Sequence, residues 1–291
     1  MESILAKGLL TNFFEGYNSV ETHWEEVATK VPSTARSENY AWIGSIPRMR
    51  KMKGERVPKK LLEHTYSIVN EEYEASIEVN HADIKDDQTG QYGIQAKSIG
   101  ESAKAFPDEL VFETLLPGGF TSLCYDGQLF FDTDHPIGEQ GTTQSNKITS
   151  ALDATSFRTA RAMLRKMKDD FGRPTLNRNM DLLLVVPADL EGTAETILEA
   201  ERDANGATNT LKGKARILVA DWLGDNNNWY LLNVSGIIKP FVVQEREFIP
   251  FEALEEGSES NFMRKKNFYG TYWRGNAGYG LYQKAVGALV T

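Results

Sequence analysis

Residues 125–138, YDGQLFFDTDHPIG, hold the side chains best suited to chemistry: Asp132, Asp134 and His135 close together, Asp126 upstream, and aromatics in front. Two carboxylates beside an imidazole can bind a divalent ion or pass a proton, and an acidic metal-dependent hydrolase built on Asp132, Asp134 and His135 is one reading. The rest of the chain does not support it. Zinc sites draw three or four ligands, often two histidines at helical spacing, whereas His23, His64, His81 and His135 stand far apart and Cys124 is the only cysteine. GTTQS is not the nucleophile turn G-x-S-x-G, and no phosphate-cradling G-x-x-x-x-G-K-[ST] occurs. Asp-x-Asp followed by His-Pro also suits a tight turn, where Asp accepts local backbone hydrogen bonds and Pro fixes φ. The turn is the preferred reading, with no catalytic residue, metal or cofactor. The glycines of GNAGYG (275–280) run in the reverse order of a dinucleotide fingerprint and lack a βαβ unit around them, so they read as a tight turn between strands.

The elements that would position this loop come from the periodicities. The chain has 291 residues, 41% hydrophobic and 25% charged, enough for a sizeable core and for two or more subdomains. Its net charge of −9 argues against a general nucleic-acid binder. A single cysteine excludes an intrachain disulfide and fits a reducing cytosol. The N-terminus does not read as a signal peptide, and no apolar run approaches the roughly 18–20 residues of a membrane span. Residues 3–30 read as an arm or short helix. At 45–60, Arg48, Arg50, Lys51, Lys53, Arg56, Lys59 and Lys60 face only Glu55, and Gly54 and Pro58 mark a loop. The alternation of Leu62, His64, Tyr66, Ile68 and of Tyr73, Ala75, Ile77, Val79 then predicts strands, together a long hairpin with a basic tip. The sign reverses at 70–90, where Glu71, Glu72, Glu74, Glu78, Asp83, Asp86 and Asp87 oppose Lys85. A +6 tip and a −6 stretch suit docking between copies of the chain.

From about 90 to 116 apolar residues recur at helical spacing, with Pro107 kinking the element or starting a second helix. A second amphipathic helix is expected at about 154–171, with Phe157, Ala160, Leu164, Met167 and Phe171 on one face and Gly172 as its stop. LLLVVP, RILVADWL, WYLLNV and KPFVVQERE read as strands, and GTAETILEA as a helix, of a compact α+β block at about 180–255.

This order of parts, with the segments VPSTARSENYAWIGSIPRMRKMKGERV (31–57), EASIEVNHADIKDDQTGQYG (74–93), FPDELVFETLLPGGF (106–120), CYDGQLFFDTDHPIG (124–138) and YWRGNAGYGLYQKAVG (272–287), resembles the major head subunits of phage Mu and Mu-like prophages. The resemblance implies an α+β Hong Kong 97-type capsid fold. It implies an N-terminal arm at 1–40, an extended loop at 41–82, and a peripheral domain at 83–179 with a spine helix at about 88–116. An axial domain at 180–255 and a return to the peripheral domain at 256–291 complete it. It further implies a non-enzymatic subunit that assembles in the bacterial host cytoplasm, through hexamers and pentamers, into an icosahedral virion head. That head encloses double-stranded DNA without sequence-specific binding, touches no membrane, and has portal, scaffold and decoration or head-completion proteins as partners. Arg48, Arg50, Lys51, Lys53, Arg56, Lys59, Lys60, Glu71, Glu72, Glu74, Asp83, Asp86 and Asp87 are the expected subunit-interface residues. An encapsulin-like protein compartment, which shares the fold, is the nearest alternative.

Overall fold

The computed structural model describes residues 4–40, 66–80, 90–137, 142–169, 172–175, 180–203, 206–224, 227–254, 258, 263 and 265–290. Helices α1 (Ile4–Ser19) and α2 (Trp24–Val27) lead into strands β1 (Ala28–Pro32), β2 (Ser37–Asn39), β3 (Ser67–Val69) and β4 (Glu71–Asn80). The long helix α3 (Gln91–Asp108) continues as π-helical turns over Glu109–Leu115 and a last turn at Leu116–Gly118. Strands β5 (His135–Ile137), β6 (Thr142–Gln144) and β7 (Lys147–Ile148) precede α4 (Ala154–Lys166). Strand β8 (Leu182–Val186) and α5 (Glu191–Leu198) follow, then β9 (Arg216–Val219), β10 (Trp229–Asn233), β11 (Phe241–Leu254), β12 (Lys266–Tyr279) and β13 (Ala285–Ala288).

Two sheets organise the chain. The first has the order β1-β11-β12-β4, parallel between β1 and β11 and antiparallel elsewhere. Alternate residues of β12 are buried or half-exposed, as a half-covered sheet requires. One face packs on α1 and α3: Tyr73 and Trp273 meet Phe106, Phe251 meets Phe13, and Phe248 stacks on Tyr17. The second sheet has the order β7-β13-β10-β8-β9. Its central strands are buried on both faces, so LLLVV and WYLLN are continuous apolar runs without alternation. Leu182, Leu184 and Val186 point to Phe157, Ala160 and Leu164 of α4 and to Ala194 and Ile197 of α5. Leu183 and Val185 point the other way, into the core that holds Phe112, Phe120 and Phe131.

Pro107 lies inside the helical run and does not end it. It has no N–H to continue the four-residue hydrogen-bond ladder, and the helix opens into wider turns just beyond it. α1 lies against α3 at two glycines. A Cβ on Gly100 would sit 2.1 Å from the Phe13 carbonyl oxygen, and one on Gly16 would sit 2.0 Å from that of Lys97. α4 starts with a capping box in which Asp153 accepts from Thr155 and Ser156, and it ends at Lys166, before the expected Met167–Phe171 turn.

Three expectations need correction. The hairpin expected around the basic tip appears among the described residues as the short β2–β3 pair, and the alternating run around Ile77 is not part of it, since β4 pairs with β12. The expected tip at 45–60 lies outside the described residues. Gly275 and Gly278 are interior to β12, where their missing side chains admit the Trp273 indole and Ile68, so they make no turn. Residues 241–254, grouped by sequence with 180–255, form the second strand of the first sheet, whereas Ala285–Ala288 joins the second.

Gly100→Ala is expected to lower stability by about 1–3 kcal/mol in urea unfolding, because a backbone carbonyl cannot yield to the new methyl. It should also speed proteolysis within α1. Gly8→Ala, with nothing within 4 Å of its Cβ, should instead stabilise by roughly 0.5–1 kcal/mol.

Candidate functional site

The loop 119–135 joins the end of α3 to β5 and drives Phe130 and Phe131 into the seam between the sheets, both wholly buried. Its backbone folds on itself, with Phe131 N–H donating to Gly119 (2.8 Å) and Phe130 N–H to Ser122 (3.1 Å). His135 follows, also wholly buried, with its ring stacked on Tyr282 at 3.7 Å between centroids and 6° between planes.

His135 does not join Asp132 and Asp134. Its Nδ1 lies 2.7 Å from Asp126 Oδ2, and its Nε2 lies 3.1 Å from Asn146 Oδ1. Asp134 is exposed, and Asp132 binds the N–H of Thr133 in a local turn (2.7 Å). The proposed trio therefore never converges. The sequence put Asp126 beside this stretch without a role, and it missed Asn146 and Tyr282.

Asn146 fixes the protons. Its Nδ2 donates to the carbonyls of Phe130 (2.7 Å) and Tyr282 (3.4 Å), so Oδ1 faces the Asp132 N–H (2.9 Å) and the imidazole. An oxygen there calls for a hydrogen on Nε2. Burial alone would raise the Asp126 carboxyl. The hydrogen bond and charge of His135, the Cys124 thiol and the Gln128 N–H outweigh it and hold the carboxyl below its ordinary value. Asp126 is thus held in its ionised form by a buried histidine hydrogen bond.

One Asp126 oxygen, Cys124 Sγ and a His135 nitrogen lie within 4.8 Å of one another, a donor set that suits a metal by type. Here three hydrogen bonds already occupy the carboxylate, and burial and then Asp126 push the Cys124 thiol far above its ordinary pKa. The arrangement ties a loop together and offers no open coordination position or substrate cleft.

Of the expected interface residues, Glu71, Glu72 and Glu74 stand exposed on β4. Arg48, Arg50, Lys51, Lys53, Arg56, Lys59, Lys60, Asp83, Asp86 and Asp87 lie outside the described residues. Part of the acidic run is answered within the chain, since Lys266 pairs with Glu78 and Arg274 Nε approaches Glu72 at 3.5 Å. No helix among the described residues is long and apolar enough to cross a membrane.

His135→Ala should cost about 3–5 kcal/mol in urea unfolding, since it leaves a buried carboxylate without its main hydrogen-bond partner. The folded pKa of Asp126 is depressed, so its contribution is complete above the ordinary carboxylate range and lost as pH falls through the lower folded value. Stability measured from pH 7 to 3 should therefore decline at the acid end, and less steeply in Asp126→Asn. Cys124 should resist thiol reagents in the native protein and react in urea.

Comparison with known proteins bears on what such a scaffold serves. The family model described as the Mu-like prophage major head subunit gpT matches residues 3–151, 145–223 and 224–290. The Mu-like prophage FluMu major head subunit of Haemophilus influenzae is 30% identical over 280 residues, 96% of this chain and 70% of that protein. The major capsid protein of Escherichia phage Mu is 34% identical over 157 residues, 52% of this chain and 51% of that one. Among solved structures, the procapsid of bacteriophage JBD30 superposes with a TM-score of 0.60 at 28% identity, covering 99% of this chain and 76% of its own. The α+β capsid fold is the fold found here. The chain belongs to the Mu-like prophage major head subunit family, whose members are structural capsid proteins and not enzymes.

Proposed function

We propose that copies of this chain, the major capsid protein of a Mu-like tailed phage, close through hexamers and pentamers into an icosahedral head around double-stranded DNA. In this reading residues 1–40 are the arm, 41–82 an extended loop, 83–179 with 256–291 the peripheral domain, and 180–255 the axial domain, less Phe241–Leu254, which returns to the first sheet. The observation that carries it is the family match along nearly the whole length of the chain. That match also favours a head over a protein-filled compartment of the same fold.

Physical features support the reading. A net charge of −9 keeps free subunits soluble and disfavours tight binding of the DNA cargo. The strongly basic 48–60 run lies in sequence between β2 and β3, and β4 presents Glu71, Glu72 and Glu74. Opposite charges on the two segments would steer one copy onto the next and set the register. Many modest contacts of this kind suffice, because closure of the shell multiplies them. A portal, a scaffold and decoration or head-completion proteins would act with the subunit in the host cytoplasm.

Negative-stain microscopy and sedimentation of the purified chain over a range of protein and salt concentrations test this. Closed shells, tubes or rings of five and six are expected. Replacing Arg48, Arg50 and Lys51 together by Glu should abolish them while leaving the circular dichroism spectrum unchanged. A monomer under every condition, with scaffold supplied, would refute the proposal.

A further inference from the structure

Between Ala154 and Lys168 the chain carries Arg158, Arg161, Arg165, Lys166 and Lys168 and no acidic residue, a local charge of +5 in a protein whose net charge is −9. Arg158, Arg161 and Arg165 recur at helical spacing along one flank of α4, about 10 Å from first to last at 1.5 Å per residue. They lie beside the face that buries Phe157, Ala160 and Leu164. Arg158, Arg165, Lys166 and Lys168 are exposed, and Arg161 is half-buried. The backbone that presents them is fixed at both ends. Asp153 caps the start of α4, and its apolar face packs on the second sheet. Beyond the last turn, the Lys168 N–H donates to Gln144 Oε1 (2.8 Å) and the Lys168 carbonyl accepts from Gln144 Nε2 (2.9 Å).

Little within the chain answers this charge. None of these side chains makes an ion pair among the described residues, and Arg161 Nε has no hydrogen-bond partner there. Asp153 and Asp203 line the cleft beside Arg158. Asp153, however, accepts from the N–H groups of Thr155 and Ser156, and Asp203 from that of Ala207. Arg165 and Lys166 stand in the last turn of α4, where the helix dipole favours a cation. Arg158 and Arg161 have no such compensation, and arginines three and four residues apart repel one another. A stripe that works against its own helix and stays unpaired suits a ligand outside the chain.

From these observations we infer that the Arg158–Arg161–Arg165 stripe touches the phosphates of the enclosed double-stranded DNA, so that this flank of α4 faces the lumen of the head. The inference rests on the reading that copies of the chain close around DNA. A guanidinium matches a phosphate with two parallel hydrogen bonds. A duplex presents a negative charge about every 1.7 Å along its axis, so the stripe needs no particular register. The exposed residues between the arginines, Thr159 and Ala162, are short and not aromatic, and the stripe therefore reads no base. An acidic protein is a poorer fit. Protein interfaces need an apolar centre, and none of the exposed large apolar side chains lies between Ala154 and Lys168. On an otherwise acidic subunit the contact is weak in each copy and repeated in every copy, which lines the wall without immobilising the duplex.

Two measurements on the full-length chain test the inference. The first is the fluorescence anisotropy of a short labelled duplex of mixed sequence, titrated with the chain at rising salt. Replacing Arg158, Arg161 and Arg165 together by Gln should weaken binding at least tenfold at low salt. It should also flatten the slope of log K against log salt by about 2.7, with an unchanged circular dichroism spectrum. Replacing the same three by Lys keeps the charge and should keep the slope. If the Gln variant does not fold, Arg165→Gln alone decides, with an expected loss of about 0.9 in slope. Equal binding by wild type and variant overturns the stripe, as does no binding by wild type or tighter binding of polyglutamate than of duplex. The second measurement offers Thr159→Cys a maleimide carried on a large polyethylene glycol, with the wild-type chain and its buried Cys124 as the blank. Free subunits should react and closed shells should not. Closed shells that react as fast as free subunits put this flank outside and overturn the inference, leaving the head reading standing. Shielding without duplex binding assigns the flank to a subunit contact and also overturns it. The absence of particles, with scaffold supplied, overturns the head reading and the inference together.

Discussion

Everything near the seam of the two sheets depends on a buried hydrogen-bonded trio. Asp126 and His135 come from one loop and Asn146 from the approach to β7, and the His135 ring bonds both of the others. Asn146 uses its side chain and its backbone at once: its N–H donates to Asp132 and its carbonyl accepts from Gly287. One residue thereby joins the loop after α3, the approach to β7 and the strand β13. The network keeps Phe130 and Phe131 inserted, and those rings fill the space between Phe120, Tyr230, Phe241 and Tyr279. A buried polar pair is weak evidence of net stabilisation, since replacing both partners by apolar groups can be neutral. Its value here is specificity: an oriented amide and a buried histidine–carboxylate hydrogen bond accept one arrangement of the loop against the approach to β7, whereas aromatic packing alone tolerates several.

The same knot shows why the polar loop reads so readily as an active site. Acids and a histidine in close sequence are what catalysis needs, and also what a folded loop needs when its backbone turns inside a protein. What separates the two is whether the groups face a cleft or each other. Here they face each other, and the carboxylate that matters lies nine residues before the histidine.

Much of the fold was legible, and the reasons are local. LLLVV reads as a strand buried on both faces because no polar residue interrupts it. Phe157, Ala160 and Leu164 repeat at the spacing of one helix face, and the long helix shows through Ala103, Phe106, Leu110 and Val111 despite Pro107. What escaped notice depends on partners far along the chain. Period-two alternation identifies β4 as a strand but does not say that β12, nearly two hundred residues away, is its neighbour. Gly275 and Gly278 look like a turn because close approach by Trp273 and Ile68 leaves the same sequence mark as positive φ. The helix-to-helix contact at Gly16 and Gly100 is silent for the same reason. Asn146 sits in a polar run, TTQSNK, that offers no hint of complete burial.

The chain crosses between its two sheets late. β12 is an interior strand of the first, with β11 and β4 on either side, and β13 lies between β7 and β10 in the second. A nascent chain that stops short of residue 266 therefore lacks an inner strand of both sheets and cannot close either core, however much of α3, α4 and the earlier strands has already emerged. Both lobes become complete over the same short stretch of synthesis. A subunit that joins many identical copies thus presents finished contact surfaces only once residues 266–288 are in place, and the timing is set by strand order.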